Sequence, residues 1–99
     1  MKKQALEVTR GSGNVFDDFG RPDADVEQCK AVLAAGIIKV LDRDDLSVRA
    51  AHRRTGFAAA DFSRIRNADL GRFTIDRLMT ILGRLDSRVE IRIKVRRAA

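Results

Sequence analysis

The sequence contains no tryptophan and no tyrosine, one cysteine, one proline and one histidine, and its only aromatic residues are five phenylalanines. A single cysteine, Cys29, excludes an internal disulfide, and its place on the inner side of an expected helix makes it a small buried hydrophobe. His52 has no second histidine or cysteine cluster with which to hold a metal, so it is read as a surface or phosphate-facing residue. No apolar run approaches the roughly 20 residues that span a bilayer. The start, MKKQALEVTR, has two lysines but no apolar stretch behind them, so no secretory signal is expected. There is no Ser/His/Asp set, no evident carboxylate pair, and no glycine loop fit to cradle a phosphate; Gly11-Ser12-Gly13 is too short. These absences argue against an enzyme, a cofactor and a metal, and favour a cytoplasmic protein that binds something.

What is present is charge, unevenly spread. The 99 residues, enough for one domain, are 44% hydrophobic and 34% charged, with a net charge of +6. Residues 14–45 carry eight acids against four bases; residues 46–66 carry five arginines against Asp61; residues 88–99 carry five bases against Glu90. A polyanion would be drawn to the last two segments and not to the first.

Periodicity sets the expected elements. Residues 4–9 alternate weakly and predict a short strand, followed by a turn-rich segment at 14–20 whose Val15, Phe16 and Phe19 suit internal packing better than partner contact. Pro22 can open a helix, expected from Asp23 to Leu41 or Asp42, with Val26, Cys29, Leu33, Ile37, Val40 and Leu41 on its inner face. Gly36 lies within it and permits a close neighbour. Two short helices are expected at about 48–55 and 59–67. A loop with Phe73 leads to Thr74, which can cap a helix over about 75–84 with Ile75, Leu78, Met79 and Leu82 inward and Gly83 ending the regular face. Residues 88–95 alternate cleanly: Val89, Ile91, Ile93 and Val95 share one face.

Residues 46–66, LSVRAAHRRTGFAAADFSRIR, are the most informative. Ser47 can cap the first short helix, and Ala50 and Ala51 allow another helix close by. Gly56 falls where a left-handed residue must end that helix. Phe57, Phe62 and Ile65 give the second helix an apolar stripe. Helix, glycine turn and helix in this form constitute a helix-turn-helix, which offers its second helix to the DNA major groove. The closing strand cannot leave its edge groups unpaired. Residues 4–9 are one partner; the same strand of a second copy, antiparallel about a twofold axis, is the favoured one, because a dimer gives the motif two half-sites.

The motif positions Leu46, Ser47, Ala51, Gly56, Phe57, Phe62-Ser63, Ile65 and the later Leu78 resemble the Xre/Cro–cI-type helix-turn-helix family. GNVFDDFGRPDA at 13–24 is similar to a segment ahead of the motif in HigA-like antitoxins, and Phe73-Thr74 with Asp76, Leu78 and Leu82-Gly83 resembles the later helix of that group. The resemblance covers most of residues 11–95. It implies a mainly α fold: a Cro/cI-like helical bundle with a C-terminal β-strand pairing across a dimer. An extension at 1–22 would precede a DNA-binding domain at 23–99. It also implies a transcriptional regulator that represses its own toxin–antitoxin operon, with double-stranded DNA and a HigB/RelE-like ribonuclease toxin as partners. The alternative is a toxin-neutralising protein-interaction module without specific DNA binding.

The chain departs from the family in its contact residues. Val48 or Arg49 stands where the family often carries a phosphate-binding glutamine, and Ala58-Ala59-Ala60 opens the second helix in place of a capping residue and glutamine. Alanine offers a base edge only a methyl group, for a thymine methyl. Readout is therefore expected from Ser63 and Arg64, with Arg64 placed for a guanine and Asp61 for a cytosine amino group. Arg49, Arg53, Arg66 and Arg72 are expected on phosphates, with Asn67 on a phosphate or as a cap. Ser47, Ala59 and Ala60 complete the expected DNA-facing set, and Val89, Ile91, Ile93 and Val95 the dimerisation set.

Overall fold

A computed structural model describes the backbone of residues 4–10 and 23–95 and the side chains of 25–92. The expected turn segment at 14–20, Gly11 to Gly13, Pro22, the basic tail from Arg96 and the side chains of Ile93 and Val95 lie outside the described residues. In chain order the elements are β1 (Gln4–Arg10), α1 (Asp23–Arg43), α2 (Val48–Thr55), α3 (Ala59–Arg66), α4 (Ile75–Leu85) and β2 (Val89–Val95). All six stand within a residue or two of where periodicity places them.

Hydrophobic burial explains the bundle. Cys29, Leu33, Ile37, Val40 and Leu41 of α1 are buried as expected, and they meet Leu78, Ile81, Leu82 and Leu85 of α4 in one core. Phe62 and Ile65 join it from α3, Ala51 from α2, and Leu70 and Phe73 from the connecting loop. The helix α4 runs to Leu85, one residue past the expected 84, with Asp86 as its cap, and its apolar face continues beyond Gly83, where the regular face was expected to end. Gly83 is exposed, so its lack of a side chain opens no gap in the core, and the apolar stripe continues through Leu85.

Two helix ends use the same device without glycine. Asp45 (φ 51°) closes α1 and Ala68 (φ 59°) closes α3, both left-handed. In each case the next N–H reaches back five residues, Leu46 to Leu41 at 2.8 Å and Asp69 to Arg64 at 2.8 Å, which is the Schellman closure.

The strand β2 does find a partner, but within its own chain. β1 and β2 run parallel, from Gln4 beside Val89 to Arg10 beside Val95. This corrects the expectation that the pairing itself is made across a dimer. Parallel strands need a long crossover, and α1 to α4 lie between them in the chain. β1 covers one edge of β2 and leaves the other edge without a strand among the described residues. Val89 and Ile91 are half-buried against the core, whereas Glu90 and Arg92 are exposed, as the alternation requires.

Candidate nucleic-acid interface

The turn between α2 and α3 is built from small, specific contacts. Ser47 is extended and its hydroxyl accepts from the Ala50 N–H at 3.1 Å, capping α2. Gly56, at φ 84°, ends the helix with its N–H on the His52 carbonyl at 2.7 Å. The buried Thr55 hydroxyl donates to Ala51 O at 2.8 Å and accepts from Phe57 N at 3.1 Å, stitching helix to turn. His52 Nδ1 donates to the Phe57 carbonyl at 2.8 Å, so this histidine braces the turn.

Helix α4 fastens the motif from below. The guanidinium groups of Arg77 and Arg84 each lie 5.1 Å from the centre of the Phe57 ring. Arg84 also donates to Thr55 O at 3.1 Å, and Arg77 to Asp61 Oδ2 at 3.1 Å. Sequence reasoning missed both arginines. Their spacing of seven residues, two helical turns on one face, was the available signal.

Helix α3 buries Phe62 and Ile65 and leaves Ala60, Ser63, Arg66 and Asn67 exposed, with Ala59 and Arg64 half-buried. Ala58 makes no side-chain cap, so the first N–H groups of α3 have no capping side chain. Ser63 is therefore outward-facing as expected. Asp61 is not: it is 8% exposed, and its two oxygens accept from Arg64 Nη1 at 3.0 Å and Arg77 Nη2 at 3.1 Å. A carboxylate so placed is buried and already engaged by two arginines of the fold, in contrast to the outward acceptor expected for a cytosine amino group.

The arginines divide into two sets. Arg66 pairs with Asp42 at 3.0 Å in an exposed ion pair, and Arg54 with Asp44 at 2.9 Å, so each has an acid of the fold beside it. Arg49 and Arg53 are exposed on one side of α2, four residues apart, and neither has an acidic partner among the described residues. Arg72 is likewise exposed, and it lines a cleft of about 620 Å³ with Lys30 and Thr74, beside the start of α4. Helix α2 holds three arginines and no acid. Like charges four apart on a helix repel, and a cation near a helix start opposes its dipole. Arg49 at the helix start is opposed by the dipole and Arg53 in the last turn is favoured by it, but neither has a charged partner among the described residues, and a polyanion would supply one to both.

A second charged cluster lies where α1, α4 and β2 meet. Asp86 is buried and accepts from Arg43 Nη2 at 2.7 Å, Arg88 Nε at 3.0 Å and the Arg88 N–H at 2.9 Å. The hydrogen bonds from Arg88, and then from Arg43, hold its carboxyl well below the usual carboxylate range despite burial. Hydrogen bonds from Arg43 and then Arg54 bring the Asp44 carboxyl down to about 2. No local pattern marks Asp86, because its partner Arg43 lies 43 residues back and Arg88 follows it outside any helix.

A sequence profile described as a helix-turn-helix domain matches residues 15–94. No curated protein matches, and no solved structure does. No helix among the described residues is long and apolar enough to cross a membrane.

Proposed function

The chain belongs to the helix-turn-helix domain family, and from that premise we propose that it is a sequence-specific, DNA-binding transcriptional regulator of the HigA-like, Xre/Cro–cI type. The observation that carries this is the contrast on the motif itself. Arg54 and Arg66 are neutralised by acids of the fold, whereas Arg49 and Arg53 stand on α2 with none. In the proposed complex Arg49 and Arg53 hold phosphates, and α3 enters the major groove with Ala59, Ala60, Ser63 and Arg64 toward the bases. Ser47 supports this as the cap of α2, and Asn67 and Arg72 supply outer phosphate contacts.

The protein acts as a dimer in this proposal, through the edge of β2 that β1 does not cover, with Val89, Ile91, Ile93 and Val95 as the dimerisation residues. It works in the cytoplasm, without catalytic activity or cofactor, as an antitoxin that represses its own operon and binds a HigB/RelE-like toxin. The resemblance at 13–24 and 73–83 supports the antitoxin role.

One observation favours a second function. The uncapped Ala58-Ala59-Ala60 start of α3 offers the bases few polar groups, which suits a toxin-neutralising module that has lost specific DNA binding. A gel shift with the DNA upstream of the gene separates the two. A sequence-specific complex at moderate salt is expected. Equal binding to unrelated DNA, or none, would favour the neutralising module.

A further inference from the structure

We infer that Asp61 is a positioning residue for base readout: it holds the Arg64 guanidinium for a guanine, and Arg77 of α4 holds Asp61 in turn. The inference deepens the regulator proposal and rests on it. Asp61 is a buried residue of α3, with Arg64 Nη1 on Oδ1 at 3.0 Å and Arg77 Nη2 on Oδ2 at 3.1 Å. Each oxygen thus receives a different arginine, and the carboxylate joins the second motif helix to α4. Arg77 is itself fixed, since its guanidinium lies 5.1 Å from the centre of the Phe57 ring in the turn.

The partner of this assembly is a G·C base pair. The Arg64 side chain is 33% exposed, so it is tethered at one end and open to solvent at the other. A guanidinium carries five N–H donors, and Nη1 gives one to Asp61. Two of the others suffice for the O6 and N7 acceptors that guanine shows in the major groove. A free arginine must be ordered on binding; one already held by a carboxylate loses less freedom and presents its plane in fewer directions. Of the neighbouring exposed residues, Ala60 offers a base only a methyl group and Ser63 a single hydroxyl, so neither can match the two-donor pairing of an arginine with guanine.

The test uses the full chain and duplexes selected from a randomised DNA pool, with competition binding against every single-base change. Wild type is expected to discriminate against replacement of one G·C pair, and Arg64→Ala to lose that discrimination. Asp61→Asn should lower it by about tenfold at that pair alone, leaving other positions and non-specific affinity unchanged. Adding Asp61→Asn to Arg64→Ala should change nothing further. Arg77→Gln, at a half-exposed residue, should give a smaller loss at the same pair and carries the test should Asp61→Asn fail to fold. A merely structural role would instead weaken all sequences alike, and that result overturns the inference. So does full discrimination in a folded Asp61→Asn or Arg77→Gln protein. A wild-type chain that discriminates no base pair overturns the regulator proposal as well, which distinguishes the two failures.

Discussion

Asp61 and Asp86 are both buried acids that hold two arginines each, yet they serve different parts of the molecule. Asp86 sits where α4 gives way to β2. It binds the last residue of α1, and it accepts from Arg88 through side chain and backbone alike. Asp61 receives one bond per oxygen, and one donor, Arg64, lies on the motif helix α3. The same pairing chemistry therefore makes a strut where three elements end and a support where one partner reaches the solvent-facing side of a helix. Positive charge in a sequence does not locate an interface; what matters is which cations the fold leaves without an acid.

The sharpest way to break this comparison is to remove each charge in turn. Asp86→Asn is expected to destabilise the protein by about 2 kcal/mol, since hydrogen bonds from charged donors to a buried carboxylate are lost. Asp61→Asn should cost less, about 1 kcal/mol, because Asp61 is itself more exposed than Asp86 and accepts no backbone N–H among the described residues such as Asp86 takes from Arg88. Urea unfolding of both variants checks the order, and equal losses would mean that Asp61 is also chiefly a strut.

Acid gives a second test of the same cluster. The Asp86 and Asp44 carboxyls are held below their ordinary values, so their contribution is complete above the unfolded range near pH 4 and is lost as pH falls through the folded values. Stability should thus decline progressively from about pH 5 to below pH 2. Asp86→Asn should flatten that decline; an unchanged acid limb would show that other carboxylates set it.

The unpaired arginines should behave in the opposite way to the struts. Arg49→Ala with Arg53→Ala is expected to reduce the salt dependence of DNA binding by roughly two phosphate contacts. Removing their mutual repulsion should leave stability unchanged or higher by a few tenths of a kcal/mol. Fluorescence anisotropy across a salt series and a thermal melt together check this. Arg54→Ala, by contrast, should lower stability, since it loses Asp44 and the Leu85 carbonyl.

Much of this architecture was legible before the structure. The 3.6-residue spacing of Cys29, Leu33, Ile37 and Val40 gave α1, and Ser47 and Gly56 marked both ends of α2 because each has a local job: a cap and a left-handed turn. The alternation at Val89 to Val95 gave β2. What local patterns could not give was pairing between distant residues. Nothing in the order of residues says that Arg43 meets Asp86, that Asp61 turns inward to Arg77, or that residues 4–10 lie parallel to 89–95. Asp61 looked like a lone acid among DNA-facing bases because the sequence shows its neighbours on α3 and hides α4. Gly83 suggests an end to the regular apolar face because glycine often closes a helix, but buried Leu85 continues that face past it.

The two ends of α3 allow a finer comparison, with the smallest effects. Its start lacks a side-chain cap at Ala58, and its finish places Ala68 at φ 59°. Ala58→Ser should supply the missing acceptor and stabilise by about 1 kcal/mol. Ala68→Gly should relieve the crowding of Cβ in the left-handed region, but glycine also has more freedom to lose from the unfolded chain, so the net gain should be only about 0.5 kcal/mol. The same change at Asp45 should gain less still, because aspartate tolerates that conformation better than alanine. Thermal melts of the three variants rank these effects. A destabilising Ala68→Gly would mean that the closure, with Asp69 N–H on Arg64 O at 2.8 Å, needs the side chain of Ala68 in place and not only its backbone.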